Sequence, residues 1–429
     1  MKTAYINGII LDGTEKMEPV PGMSIITDGE TIEAVQPAEE KLPEGCEVVD
    51  LQGKYIMPGL INLHVHIPAN GKPKKKPTDA RKTVKLVTST KLTRKVLEQM
   101  YKNYAQTEFF SGVTTLRSVG GVENYDSSLR DKIISGKLVG PTILAGNMAV
   151  SVPGGHMAGS LAYEAKSAEE AKNYVDKIAE DKPDLIKLMI TGGVLDATKK
   201  GEPGVLKMAP ELVKAACDEA HRLGYMVAAH VESPEGVHVA LEGGVDTIEH
   251  GAKPDEELIR LFKEKGAAHV ATLSPALPYA LFDREISHCS EMDQFNGEVV
   301  FNGIIECAKL CLANDIPVGL GNDTGCPYIT HYDFWRELVY FCRYCSVSPR
   351  FALYSATLGN ARIAKIDDAT GSIEAGKRAD LLVIEGNPLE NLKVLRNPVM
   401  VVGRGRRVEN PLSHVKKMPQ VERELDKFI

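Results

Sequence analysis

The sequence predicts an α/β protein made of a (β/α)8 barrel and a small β-sandwich domain that is formed by the N- and C-terminal segments. Two patterns predict this fold. Both ends of the chain consist of short strand-like runs separated by turns, whereas the middle alternates apolar β runs with stretches of helical period. The 429 residues, 43% hydrophobic and 25% charged, have the composition of a globular protein with a sizeable core.

The two terminal segments are more similar to each other than to the middle of the chain. Residues 1–57 contain TAYINGIILDG, MSIITDGETIEAV and EVVDLQGKYIM, in which Asn-Gly, Asp-Gly and Gln-Gly pairs are typical of turns between β-branched runs. Near the other end, GSIEAGKRADLLVIEG and NPVMVVGRGRRV repeat this pattern. We therefore assign residues 1–57 and 366–429 to one small β domain, and residues 58–365 to a barrel inserted between its two parts.

Apolar runs in the middle segment predict parallel strands, because helical stretches separate them. The eight runs cover residues 60–66, 113–119, 142–149, 185–190, 226–230, 245–250, 268–273 and 317–323. Eight strands close a TIM barrel, in which the active site lies at the C-terminal ends of the strands.

Composition also limits the partners and the location of the protein. The net charge of −7 gives no reason to expect nucleic acid, and no apolar run approaches the ~18 residues of a membrane span. The N-terminus, MKTAYINGIILDG, has no long apolar core before a small-residue cleavage site, so it lacks the pattern of a secretory signal. We expect a cytoplasmic protein whose partner is a small molecule.

Ligand-type side chains occur within or at the ends of several predicted strands. They are His64, His66, Lys187, His230, His250 and Asp323. Alternation along the first strand places both of its imidazoles on one face, and all six side chains then converge at one mouth of the barrel. A single histidine on an apolar face is usually a core residue, but six such groups in consistent positions are not explained in that way. Imidazole and carboxylate groups are suitable ligands for zinc and similar divalent ions.

Several longer motifs resemble the amidohydrolase superfamily over nearly the whole chain. The matching segments are PGLINLHVH at 58–66, IKLMITGGV at 186–194, VAAHVESPEGVHVALEGGVDTIEHGA at 227–252, GND at 321–323 and ATLGNARIAKIDDATGSIEAGKRADLLVIEGNPLENL at 356–392. Within the superfamily, the chain is most similar to the branch of imidazolonepropionase-like proteins and metal-dependent Xaa-Pro dipeptidases. The segments TTLRSVGG at 114–121 and PGGHMAG at 153–159 indicate that branch.

The resemblance implies two divalent metal ions, with zinc as the expected metal. Carried over by position, the ligands are His64, His66 and Asp323 for one ion and His230 and His250 for the other. Lys187 would bridge the ions as N6-carboxylysine, a carbamate formed with carbon dioxide, and desolvation within LIKLMI favours the neutral amine that this reaction needs. A hydroxide between the ions would be the nucleophile, and Asp323 would act as general base and then as general acid.

The implied reaction is hydrolysis of an amide-type C–N bond in a dipeptide, an N-acyl amino acid or a lactam-like ring. His156, within PGGHMAG, is a candidate to bind the carbonyl oxygen or the carboxylate of the substrate. The alternative enzyme is a mononuclear-metal deaminase or an imidazolone-type cyclic amide hydrolase, although such relatives generally lack the lysine at position 187. Retention of all six ligand-type residues disfavours a metal-free scaffold. The resemblance also implies a homo-oligomer, because superfamily members often assemble.

Two positions depart from the pattern of the dipeptidases in this branch. Val231 directly follows His230, where these dipeptidases commonly have a Tyr that helps to hold the carboxylate of the substrate. Ser118 follows Arg117, where they usually have Asp. The ligand set is therefore complete, whereas part of the peptide-recognition machinery differs.

Other candidate residues near the predicted mouth have two interpretations. Arg117 faces an anionic substrate or anchors the barrel mouth through a salt bridge. Tyr279 and His331, which follow the seventh and eighth strands, are candidate walls of the substrate pocket. Residues 72–95 contain ten Lys or Arg residues and one Asp. This segment either attracts an acidic substrate or forms a solvated face, and we favour the solvated face.

Overall fold

The computed structural model describes residues 2–73 and 79–429. The N-terminal segment consists mainly of strands. They are β1 (Lys2–Ile10), β2 (Val20–Asp28), β3 (Thr31–Pro37), β4 (Glu47–Asp50) and β5 (Tyr55–Pro58). Strands β1, β2 and β3 pair antiparallel in sequence order, whereas β4 and β5 each pair parallel with β1.

The middle of the chain forms a ring of parallel strands. They are β6 (Leu60–Val65), β7 (Val113–Ser118), β8 (Thr142–Leu144), β9 (Ala149–Ser151), β10 (Ala162–Glu164), β11 (Leu185–Met189), β12 (Met226–Val231), β13 (Thr247–His250), β14 (Ala268–Ala271) and β15 (Val318–Leu320). The pairing orders are β6-β7-β8 and β10-β9-β11-β12-β13-β14-β15. A parallel bridge between Val65 and Thr324 joins the first and last positions of the ring. The predicted (β/α)8 barrel is confirmed, with β10 as an additional edge strand beside β9.

The third barrel position differs from the single run predicted over residues 142–149. It is split into β8, which pairs with β7, and β9, which pairs with β11. Gly146 lies between them, and a Cβ atom there would be 2.5 Å from the carbonyl oxygen of Ser118. The next residue, Asn147, has a left-handed φ of 54°. This close approach and turn interrupt the strand.

Helices cover the outside of the ring. Within the described residues they are α1 (Ala80–Val87), α2 (Lys91–Phe110), α3 (Tyr125–Ile134), α4 (Ala168–Glu180), α5 (Pro210–Arg222), α6 (Pro234–Gly243), α7 (Glu256–Lys265), α8 (Leu273–Leu281), α9 (Arg284–Ser287), α10 (Glu291–Ala313), α11 (Phe334–Cys345), α12 (Pro349–Tyr354), α13 (Asn360–Ile363) and α14 (Pro419–Leu425). None of these helices has the length and apolar character needed to cross a membrane.

Short sequence signals set the ends of the barrel helices. The side chains of Ser167, Ser233 and Asp255 accept backbone N–H groups in the first turns of α4, α6 and α7. Helices α6 and α7 end at Gly244 and Gly266, whose φ angles of 100° and 64° lie in the left-handed region. Each βα unit therefore has defined ends, and the connecting loops that follow the strands gather at one side of the barrel.

Strands from both ends of the chain form one sheet. After the barrel come β16 (Leu381–Ile384), β17 (Met400–Gly403) and β18 (Arg406–Glu409), and β16 pairs antiparallel with β5. The order across the sheet is β18-β17-β16-β5-β1-β2-β3. The sheet curls so that Ile32 of β3 donates its N–H to the carbonyl of Lys377, just before β16. Its buried side chains, including Tyr5, Ile25 and Leu381, form a core separate from that of the barrel.

Candidate active site

His64 and His66 lie at the C-terminal end of β6, and both are buried. Nδ1 of His64 donates to the carboxylate of Glu249 at 2.8 Å, and Nδ1 of His66 donates to the carbonyl of Gly120 at 2.9 Å. Each ring therefore keeps the lone pair of its Nε2 atom. The two Nε2 atoms lie 3.5 and 3.4 Å from the same oxygen of Asp323, so both imidazoles face one point.

His230 and His250 form a second pair on the neighbouring strands β12 and β13. Their ring centroids are 4.6 Å apart. Nε2 of His230 faces the carbonyl of Gly192 at 3.3 Å, and Nδ1 of His250 lies 2.6 Å from the hydroxyl of Thr272. Each ring is thus held through one nitrogen, and the other nitrogen remains for a ligand.

The buried imidazoles are in the protonation state that binds metal. Burial lowers the pKa of all four rings, and it holds the pKa of His64, His230 and His250 well below the usual 6.5. Neutral imidazole is the form that coordinates divalent ions.

Asp323 lies in the loop after β15, with a left-handed φ of 52°. The loop passes close to β6, since a Cβ atom on Gly321 would be 2.5 Å from Cβ of His64. Burial alone would raise the pKa of Asp323, but His64, His66 and a hydrogen bond from Cys326 together hold this pKa below its usual value. The carboxylate is therefore ionised, and its Oδ1 atom has no hydrogen-bond partner.

Lys187 lies in the middle of β11 and is fully buried. Its Nζ atom has no hydrogen-bond partner, although a buried ammonium group normally requires several. Burial lowers the pKa of Lys187 to about 8, which brings the neutral amine within reach near neutral pH.

The predicted ligand residues fit a metal centre in their chemistry. Ligand atoms of His64, His250 and Asp323 lie within 4.8 Å of one another. The four imidazoles each have one nitrogen that is not held by the scaffold, and the buried Asp323 and Lys187 each have an atom without a hydrogen-bond partner. Nitrogen and oxygen ligands in such a cluster can hold zinc or a similar divalent ion.

Arg117 anchors the barrel through a salt bridge, which is one of its two predicted interpretations, and its role in substrate binding stays a prediction. Its guanidinium donates to the carboxylate of Glu249 at 2.6 Å, to the carbonyl of Leu63 at 2.7 Å and to the hydroxyl of Thr247 at 3.2 Å. The side chain is only 4% exposed. Each of its three guanidinium nitrogen atoms thus donates one hydrogen bond within the barrel.

His156 lies against the second histidine pair. Its ring stacks on that of His230, with centroids 4.1 Å apart and an interplanar angle of 5°. Nδ1 of His156 is 2.5 Å from Oδ2 of Asp196, which also accepts the N–H of Gly193 at 2.9 Å. The side chain of His156 is 22% exposed, so it borders the site and remains accessible from solvent.

Tyr279 and His331 have different surroundings. Tyr279, on α8, is largely buried close to Cys326, three residues after Asp323, and burial raises the pKa of its phenol. It therefore stays a candidate wall. His331 stacks on Tyr104 and donates Nε2–H to the carbonyl of Ala69 at 2.7 Å. It lines a cleft together with residues of α2, and its place in the wall of the catalytic pocket stays a prediction.

The basic segment 72–95 is only partly described, because Lys74, Lys75 and Lys76 lie outside the described residues. In the described part, α1 has no buried residue, and the side chain of Lys82 is 86% exposed. Arg94 forms an ion pair with Glu123 at 2.5 Å. These contacts agree with the solvated-face interpretation for the described part.

Sequence reasoning missed two acidic residues at the site, Glu249 and Glu232. Glu249 orients His64. Asp126, which was also not predicted, accepts a hydrogen bond at 2.6 Å from Ser118, one of the two positions that depart from the dipeptidase pattern. Glu232 is near the second histidine pair. The sequence signal for Glu232 was its spacing of two residues from His230, which places both on one side of a strand. Val231 between them faces the other way and packs on α6, where a Cβ atom on Gly236 would be 2.9 Å from Cγ1 of Val231.

Comparison with known proteins identifies the family. The chain is similar to a solved structure titled a putative prolidase from Bifidobacterium longum, with 34% identity, a TM-score of 0.88 and coverage of 99% of this chain and 98% of the other. A solved Xaa-Pro dipeptidase with bound methionine in its active site has 29% identity, a TM-score of 0.83 and coverage of 95% and 100%.

A more distant relative is ochratoxinase from Aspergillus niger, which is 25% identical over 374 residues, 81% of this chain and 73% of the relative. The family model described as "Amidohydrolase family" matches residues 55–408, which include every strand of the barrel and all six ligand-type residues. The chain therefore belongs to the amidohydrolase family of hydrolases.

Proposed function

We propose that this protein is a binuclear metal-dependent hydrolase of an amide-type C–N bond whose substrate is a dipeptide, an N-acyl amino acid or a related lactam. One observation carries the proposal. Four scaffold-held imidazoles, an ionised Asp323 and an unpartnered, fully buried Lys187 surround one region at the C-terminal side of the barrel. These polar groups would not be expected in a purely hydrophobic core, whereas a pair of metal ions could be coordinated by all of them.

In this proposal the ligands divide into two sets. His64, His66 and Asp323 hold one ion, and His230 and His250 hold the other. The distance of 4.8 Å between the ring centroids of His64 and His250 supports neighbouring sites. Zinc suits these nitrogen and oxygen ligands.

Lys187 would supply the ligand shared by the two sites as a carbamate. The neutral amine adds to the carbon of carbon dioxide, so an N–C bond forms and one proton is released to solvent. The product is an anion with two oxygen ligands. Its formation accounts for a lysine that is buried without a hydrogen-bond partner, because the positive charge is lost and the new oxygens have ions to bind.

When bound, the ions would supply a water of lowered pKa and a Lewis acid for the scissile carbonyl. Asp323, whose pKa is held below its usual value, would accept a proton at its carboxylate and deliver it to the departing nitrogen. His156 has its Nδ1 atom fixed by Asp196, which leaves Nε2 to bind the carbonyl oxygen or the carboxylate of the substrate.

The relatives support an amino-acid-derived substrate. The Xaa-Pro dipeptidase structure has methionine in its active site, and the solved relative with 34% identity is titled a putative prolidase. The ion pair with Glu249 offsets the charge of Arg117, one cation that is a candidate to bind the carboxylate of the substrate. Recognition of the substrate therefore depends on His156, on Tyr279 and on the loops around them.

The direct test is an activity screen of the metal-loaded protein. Dipeptides, the same dipeptides with an acetylated N-terminus, and lactams are assayed for release of a free amine, with chelated protein and Asp323→Asn as controls. We expect metal-dependent hydrolysis within this set. Release of ammonia from an aminated heterocycle, together with inactivity on all amides, would favour the deaminase alternative and refute the proposal.

A further inference from the structure

Glu232 is a carboxylate at the candidate metal site for which the two ligand sets above have no role. It lies two residues after His230, just beyond the end of β12. One of its carboxylate oxygens lies within 4.8 Å of the ligand atoms of both His230 and His250. Its Oε2 atom is buried and has no hydrogen-bond partner. A buried carboxyl oxygen without a donor is costly unless the group takes up a proton or a cation compensates its charge, and the ligand atoms of His230 and His250 beside it suit a cation.

The backbone around Glu232 is fixed, so the position of its carboxylate is set in advance. Its N–H donates to the hydroxyl of Thr191 at 3.0 Å. The loop at Gly204 packs directly against the main chain of Glu232, because a Cβ atom on Gly204 would be 2.3 Å from the carbonyl oxygen of Glu232. Continuation of the strand period keeps His230 and Glu232 on the same side.

We propose that Glu232 is a further protein ligand of the ion that His230 and His250 hold. The inference rests on the proposed binuclear function and extends it. In that function the second ion has only two imidazoles and one carbamate oxygen as protein ligands. A carboxylate oxygen within 4.8 Å of both imidazole ligand atoms would add a further protein ligand, and its negative charge would offset the charge of the ion, which the two neutral rings do not.

This assignment has a consequence for how the second ion is retained. With Glu232 as a ligand, the second site holds its ion through three unmodified side chains, His230, Glu232 and His250, and the carbamate adds to them. Replacement of Lys187 then weakens the binding of the second ion without abolishing it. Loss of both Lys187 and Glu232 leaves two imidazoles alone.

Metal titration tests the inference independently of turnover. The full-length wild-type protein, Glu232→Gln, Glu232→Ala and the double variant Lys187→Ala/Glu232→Gln are stripped with a chelator and dialysed against buffered free Zn²⁺. Bound zinc is counted by plasma mass spectrometry. Glu235→Gln is the matched control, because Glu235 is an exposed glutamate three residues further along the same segment. His66→Asn identifies which binding step belongs to the other ion.

We expect Glu232→Gln and Glu232→Ala to lower the affinity for the second ion at least tenfold and to leave the affinity for the first ion unchanged. The double variant should hold one ion, and Glu235→Gln should behave as wild type. Unchanged affinity for both ions in Glu232→Gln and Glu232→Ala would overturn the inference. If the KM of substrates with a free amino group rose at the same time, Glu232 would bind the ammonium group of the substrate instead.

Two other results are also decisive. An equal loss of affinity for both ions would overturn the role of Glu232, since the loss of a ligand of the second ion should lower the affinity for that ion most. A wild-type protein that binds fewer than two ions would overturn the binuclear function itself. That failure is visible in the wild-type titration alone, so it cannot be confused with a failure of Glu232.

Discussion

Glu249 accepts the Nδ1–H of His64 at 2.8 Å from within the barrel. Its other carboxylate oxygen accepts the guanidinium of Arg117 at 2.6 Å and the hydroxyl of Thr247 at 2.6 Å. The arginine, the carboxylate and the imidazole form one buried chain that fixes the tautomer and the orientation of a candidate metal ligand. The chain thus links Arg117 to the chemistry of the site.

Glu249→Gln should lower the affinity for the ion that His64 is proposed to hold. The amide keeps the size of the side chain but removes the charge that compensates Arg117 and polarises the imidazole. We expect affinity for that ion to fall by 10–100-fold and the free energy of unfolding to fall by about 3 kcal/mol, as for a broken buried ion pair. Equilibrium dialysis and urea denaturation measure the two effects. Wild-type affinity for both ions would contradict the role assigned to Glu249.

Lys187→Ala should remove most of the activity and lower the affinity for the second ion, because the bridging ligand is lost. Lys166→Ala, at an exposed lysine before α4, is the control and should remain active. Wild-type turnover in Lys187→Ala would refute the carbamate assignment.

The pKa of Lys187 adds a dependence on pH to the same prediction. Only the neutral amine reacts with carbon dioxide, and the fraction of neutral amine rises as the pH increases through about 8. Reactivation of metal-free wild-type protein by zinc should therefore be faster at pH 8.5 than at pH 6.5 when both buffers hold the same concentration of dissolved carbon dioxide. Carbon-13 bicarbonate should produce a carbamate signal in the NMR spectrum of the wild-type protein and not in that of Lys187→Ala.

Asp323→Asn should keep the fold and lose proton transfer. We expect kcat to fall by about 10²–10⁴-fold, the contribution typical of a positioned general acid–base group. Because Asp323 is also a candidate ligand, metal content is measured beside kcat, and rates are compared at saturating zinc. An unchanged kcat would show that Asp323 is not the proton carrier.

His156→Asn should lower kcat/KM with little change in bound metal, since His156 touches the second histidine pair but is not a ligand. Asp196→Asn should have a smaller effect in the same direction, because Asp196 only orients the ring of His156. Equal kcat/KM in His156→Asn and the wild-type protein would assign His156 to ordering its loop.

The alternation of strands and helices was sufficient to predict the barrel and to bring the six ligand-type residues to one side. It was not sufficient for contacts across the ring. Glu249 and Arg117 are 132 positions apart, and no local pattern reports which strands face each other inside the barrel. Strand periodicity also predicts that the adjacent residues Glu249 and His250 point to opposite faces, yet both lie close to His64. The left-handed φ of 68° at His250 marks where the strand leaves its regular alternation.

The same limit applies to Arg117 and His331. Both residues have the type and the position expected of substrate contacts, but their partners, Glu249 and the carbonyl of Ala69, come from distant segments. A residue type predicts which bonds a side chain can make, and only the packed structure shows which of them it has already made.

The metal content of the purified, unchelated protein is the most direct measurement of the proposed function. Plasma mass spectrometry should find two divalent ions per chain after growth with added zinc and bicarbonate. One ion or none per chain under those conditions would contradict the bridged pair at Lys187, and the search for a substrate would then turn to deaminase and cyclic amide chemistry.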